Sequence, residues 1–148
     1  MSYNSQALTA YQETNIKTAS RGSLIIMLYD EGIKQIKCAL EYMSNEKINP
    51  SDLEQVHQHI VKTQDIITEL MASLNMEEGG EISKNLFAIY SFFNQQLFQA
   101  NIQKDLKPLV TVKDMMEELR SAWQQVVNSS AASSSDSKPM ASGVNIAG

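Results

Sequence analysis

Cysteine is almost missing from this 148-residue chain: Cys38 stands alone, so no internal disulfide forms and the fold must be held by packing. Only three prolines and six glycines are present, a scarcity that excludes a turn-dense β-sandwich and favours a few long elements. Long apolar runs are lacking too. The longest non-aromatic one, Leu24-Ile25-Ile26-Met27-Leu28, is far short of the roughly 20 residues that cross a bilayer, so no membrane insertion is expected. Basic residues are outnumbered 12 to 17, for a net charge of −5. That unclustered balance leaves no footprint for a phosphate backbone and excludes nucleic acid as a partner. With two histidines and one cysteine, an ordinary structural zinc site cannot be assembled. Gly79-Gly80 has neither the lysine nor the preceding strand of a phosphate-cradling loop. Residues Met1 to Gln6 carry no basic segment leading into a signal-like apolar stretch, so a cytoplasmic chain is expected, with Cys38 as a small buried hydrophobe.

What the chain does have is helical periodicity, four times over. From Ser20, residues Ile25, Leu28, Tyr29, Gly32, Ile36, Ala39, Leu40 and Met43 recur mostly at spacings of three and four. After the break at Asn49-Pro50, Ser51-Asp52-Leu53-Glu54 fits a capping box. Leu53, Val56, Ile60, Thr63, Ile67, Leu70 and Leu74 then form a second stripe. Asn75 to Gly80 reads as a turn. A third stripe follows over about 81–101 with Ile82, Leu86, Ile89, Tyr90, Phe93, Leu97 and Ala100. The fourth begins around Asp105 to Pro108 and carries Leu109, Val112, Met115, Met116, Leu119, Trp123 and Val126. Short connections between helices of similar length imply an all-α, antiparallel up-down-up-down four-helix bundle. The chain accordingly divides into a leading cap segment over 1–19, a bundle over 20–127 and a serine-rich disordered tail over 128–148.

Signals for catalysis are weak. Glu54-Gln55-Val56-His57 has the Glu-x-x-His spacing of carboxylate-bridged metal bundles, but no second copy exists. His57 and His59, two residues apart, point to nearly opposite sides of a helix. Neither a metal, a cofactor nor an enzyme activity is expected. The excess of apolar residues is more informative. If Ile25, Leu28 and Tyr29 face the core, then Leu24, Ile26 and Met27 cannot all do so at about 100° per residue, and Ile33 continues the Ile26 side. On the third helix, Phe87 and Phe98 project about a right angle from the Leu86 side, roughly three turns apart. Self-burial, a weak homodimer of the free chain or a partner protein would each cover such a surplus, and periodicity does not choose between them. The segment before the bundle adds Leu8, Tyr11 and Ile16, too short a stretch to fold alone, and reads as a displaceable lid.

Several of these stretches together resemble one known family. Ala10-Tyr11-Gln12 and Thr18-Ala19-Ser20 leading into Leu24-Ile25-Ile26-Met27-Leu28-Tyr29-Asp30 are similar to the N-terminal signature of FliS-type flagellar secretion chaperones. Gly79-Gly80-Glu81-Ile82, Asn85-Leu86, Ile89-Tyr90, Leu97, Ala100-Asn101, Leu119-Arg120 and Ala122-Trp123 are similar to its second half. Arg21 departs from the family's usual proline, and Asp30-Glu31-Gly32 from its usual Asp-Gly-Ala. The resemblance implies a helical bundle that binds the disordered C-terminal segment of flagellin in the cytoplasm and presents it to the flagellar export gate without a cofactor. By the family's motif Tyr11, with Leu8 and Ile16, belongs to a cap beside the flagellin path. By helical face Ile26, Ile33, Phe87 and Phe98 are candidate partner contacts, and Leu24 and Met27 face either cap or client. The alternative is a bundle adaptor or anti-regulator that takes an amphipathic helix from another protein.

Overall fold

In a computed structural model that describes residues 21–44 and 47–136, four helices carry the chain: α1 (Arg21–Tyr42), α2 (Pro50–Ala72), α3 (Gly80–Gln103) and α4 (Leu106–Asp136). No strand occurs among the described residues. α1 packs on α2 and α4, and α3 packs on the same two, so α1 and α3 occupy opposite corners of a square. Neighbours run antiparallel. Arg21 at the start of α1 donates to the Ser73 carbonyl just past α2 (2.9 Å), and Asn101 near the end of α3 reaches His57 near the start of α2 (2.9 Å). Asp30 and Lys37 ascend α1 while their partners Arg120 and Glu117 descend α4. This is the up-down-up-down bundle that the short connections imply.

The core follows the stripes. Tyr29, Ile36, Val56, Ile60, Ile67, Leu70, Phe93, Leu97, Leu109, Val112 and Met116 are all fully buried. At about 25 cal/mol per Å² of apolar area, such burial is the dominant stabilising force of the bundle. Where α1, α2 and α4 meet, a Cβ on Gly32 would lie 2.8 Å from Met116 Cε and 3.4 Å from Ile66 Cγ2, so glycine permits the close approach. At the centre, the Tyr29 and Tyr90 hydroxyls share a hydrogen bond of 2.7 Å, joining α1 and α3 through buried polar groups. Burial pushes both phenols above their ordinary range, so they stay neutral hydrogen-bonding groups. Trp123, 8% exposed, belongs to the core as its place on the inner stripe implies.

Three details depart from the sequence reading. α2 starts one residue before the proposed capping box. Asn49 is the N-cap, its Oδ1 accepting from the Asp52 amide at 3.0 Å, and Ser51 Oγ donates to the same oxygen at 2.9 Å. Pro50, which fits the first helical position, places the cap before itself. Ser51 is therefore already helical, and Glu54 accepts from Gln58 instead. Ile82, assigned to the third stripe, is 46% exposed and lies in the first turn of α3. α4 continues to Asp136, nine residues past Val127, where a boundary was drawn. Ala131 and Ala132 are good helix formers, and no proline intervenes before Pro139. Residues 137–148 lie outside the described part of the chain.

The connection into α3 needs its two glycines for different reasons. Gly80 has φ +56°, a left-handed conformation that costs a side-chain-bearing residue about 1 kcal/mol. At Gly79 the obstacle is space: a Cβ would sit 2.6 Å from the Asn75 carbonyl oxygen and collide with Ser83, whose Oγ donates to that same oxygen at 2.9 Å. Asn75 Oδ1 caps the turn by accepting from the Glu77 and Glu78 amides.

Candidate partner-binding surface

α3 is the least embedded helix of the first three, with five buried residues against ten in α1 and six in α2. All the exposed large hydrophobic side chains among the described residues fall between Met76 and Leu106: Met76, Ile82, Phe87, Phe92, Phe98, Ile102 and Leu106. Phe98 and Ile102 are the most open, at 55% and 64%. Scattered single apolar residues on a surface are ordinary, whereas a concentration on one helix marks an interaction site.

Charge is distributed the opposite way. From Asn85 to Gln103, nineteen consecutive residues include no Asp, Glu, Lys or Arg. The polar residues there are amides and a serine, groups that hydrogen-bond without the desolvation cost of an ion. Charge gathers instead along the seam between α1 and α4. Asp30 takes a bidentate contact from Arg120 (2.6 and 3.3 Å), Lys37 lies 3.7 Å from Glu117, and Lys113 bridges Asp114 and Glu117. Hydrogen bonding to these carboxylates raises the Arg120 and Lys113 pKa values. Ion pairs this exposed contribute roughly 0–1 kcal/mol each, but they give the seam a charged rim that α3 lacks.

The candidate contact residues are split by this arrangement. Phe87 (42% exposed) and Phe98 lie together on one flank of α3. That flank is turned towards α2, since Asn94 and Asn101, on the same side, meet Met71 and His57 of α2. Ile26 and Ile33 are not on an open face: they are 7% and 8% exposed and belong to the core. The reason is geometric. Seven residues apart on α1, they sit just inside Asp30 and Lys37, so α4 closes over them along the ion-paired seam. A helix with two neighbours buries an arc of about half its circumference, wider than one stripe. Leu24 and Met27 are half-buried on α1. Leu8, Tyr11 and Ile16 lie outside the described residues. Phe92 and Ile102, which the stripe argument passed over, are the further exposed members of the α3 surface; the uncharged stretch around them was the available signal.

Side chains that invited a metal are committed elsewhere. Asn101 Nδ2 donates to His57 Nδ1, and His59 Nδ1 lies 2.7 Å from Gln35 Oε1 with its ring stacked on Tyr42 (centroids 5.9 Å). No group of three His, Cys, Asp or Glu able to hold a metal ion occurs among the described residues, nor is any described helix long and apolar enough to cross a membrane. Asn94 Oδ1 is the one buried side-chain polar atom without a partner among the described residues. Such an orphan costs about 1–3 kcal/mol.

Comparison with known proteins points in one direction. The family described as flagellar protein FliS matches residues 3–130. A flagellar secretion chaperone FliS from Bacillus subtilis is 35% identical over 121 residues, 82% of this chain and 86% of that protein. Proteins of the same description from Vibrio cholerae and Salmonella typhimurium are 29% and 28% identical, over 81% and 84% of this chain and 88% and 92% of theirs.

Proposed function

Because this chain belongs to the FliS family of flagellar secretion chaperones, we propose that it binds the C-terminal segment of flagellin in the cytoplasm, keeps that segment from polymerising and delivers it to the flagellar export gate. The observation that carries the reading is the uncharged, phenylalanine-studded surface of α3, which no described part of the bundle covers. A disordered amphipathic client that folds as it docks loses about 2–5 kcal/mol in ordering. Burying the apolar surface left open at Phe87, Phe92, Phe98 and Ile102 offsets this at about 25 cal/mol per Å². The recognition is of the helix-in-groove kind, with aromatic anchors setting position.

Release requires no nucleotide in this scheme; handover to a competing site at the export gate suffices if affinity is moderate. Leu8, Tyr11 and Ile16 form the lid that the client displaces, and Leu24 and Met27 on α1 face either this lid or the client. Circular dichroism and calorimetry on the chain mixed with a flagellin C-terminal peptide test the proposal. A one-to-one complex with helicity above the sum of the parts supports it, and no binding at micromolar concentration rejects it.

A further inference from the structure

We infer that α3 sets the direction of its client by charge: the turn from α2 into α3 receives a basic end of the client segment, while the neutral stretch over 85–103 seats its apolar middle. This rests on the reading of α3 as the client seat and adds to it the charge pattern of the client. The exposed apolar surface does not stop at the neutral stretch. Met76 (45% exposed) and Ile82 (46%) carry it into the turn. Three exposed carboxylates, Glu77, Glu78 and Glu81, stand among them, and none forms an ion pair with a described residue. Lys84 is the one cation over 76–84, which leaves this end of α3 at −2. Arg21 shares an open cavity of about 470 Å³ with Met76 and Glu77 but donates to the Ser73 carbonyl at 2.9 Å. Glu81 lies in the first turn of α3, where a carboxylate suits the helix N-terminus. Glu77 and Glu78 have no such account.

The opposite end differs. Lys104 Nζ donates to the carbonyl and Oδ1 of Asn101, both at 2.6 Å, and Asp105 stands between Lys104 and Lys107. Charge there is nearly balanced, so the field along α3 is negative at one end only. The acidic end is also rigid. Asn75 Oδ1 holds the Glu77 and Glu78 amides, Ser83 Oγ donates to the Asn75 carbonyl, and a Cβ on Gly79 would collide with both Ser83 and Asn75. Carboxylates presented on a fixed turn lose little freedom when a cation arrives. An exposed ion pair adds at most about five-fold to affinity. That is too little to hold a client that the aromatics of α3 already hold, but several such pairs favour one direction of it over the reverse and speed its approach.

Stopped-flow mixing of the full chain with a labelled flagellin C-terminal peptide tests the inference. In about 50 mM salt, E77Q/E78Q/E81Q should lower the association rate about ten-fold and leave the dissociation rate nearly unchanged, and the difference should vanish in about 1 M salt. Phe87→Ala should do the opposite, raising the dissociation rate. Changing the Lys and Arg residues at the basic end of the peptide to Gln should reproduce the loss on the native chain and add nothing on the triple variant. A nitroxide on that end, and not on the other, should broaden the Met76 methyl signal. Helicity and melting temperature verify that each variant folds. An association rate indifferent to the triple substitution overturns the inference, as does a loss that persists in 1 M salt, broadening from the other end of the peptide, or a flagellin segment with no basic end. A native chain that binds no peptide at all rejects the client reading itself, and the inference with it.

Discussion

Removing both hydroxyls of the buried Tyr29–Tyr90 pair should cost less than the two single removals summed. The two oxygens share one hydrogen bond of 2.7 Å inside the core. Tyr29→Phe and Tyr90→Phe each delete that bond and leave the other hydroxyl stranded in a dry interior, for about 1–3 kcal/mol. The double variant should cost little more than either single one, because the second substitution removes a group already stranded. Urea unfolding of the four proteins in a double-mutant cycle gives the coupling directly, expected at about 1 kcal/mol or more. Strictly additive losses would refute the description of this junction.

Other perturbations test separate parts of the structure. Asn49→Ala should cost about 1 kcal/mol through loss of the α2 N-cap, and Ser51→Ala well under that; equal losses in thermal melts would restore the capping box that the structure replaces. Gly79→Ala should be worse than Gly80→Ala, because the first drives a Cβ into the Asn75 carbonyl while the second imposes only about 1 kcal/mol of left-handed strain; the reverse order in chemical denaturation would contradict the turn geometry. Burial, and then the charge on Lys62, hold the His59 pKa below its usual value. The unfolded chain thus takes up that proton first, so this contribution to stability is complete above about pH 6.5 and is lost as pH falls through the folded-state value. His59→Gln should flatten the melting temperature between about pH 7 and 5.5, and an unchanged slope would rule the group out.

The bundle was legible because its stripes are long and its breaks are chemically plain. Asn49-Pro50 and Gly79-Gly80 end and start helices for reasons of backbone sterics that no tertiary contact overrides. Burial at the helix flanks was less legible. Ile26 and Ile33 lie outside a single stripe, yet α4 covers them, and only the arrangement of neighbours decides how wide an arc a helix buries. Phe87 and Phe98 lie at a similar angle from their own core stripe but on a helix with half as many buried residues as α1, and they stay open. Periodicity within one helix cannot tell these two cases apart. Charge can: the side that carries Asp30 and Lys37 pairs with α4, and the nineteen-residue stretch without charge carries the exposed Phe87, Phe92, Phe98 and Ile102.

The central claim is that α3 seats the client, and calorimetric titration with a flagellin C-terminal peptide into the native chain and into Phe87→Ala and Phe98→Ala tests it most directly. Both side chains are already half in water, so folding stability should change by no more than about 0.5 kcal/mol, while each variant should weaken binding about ten-fold or more. Full affinity retained by both variants, with the fold intact, would contradict the account.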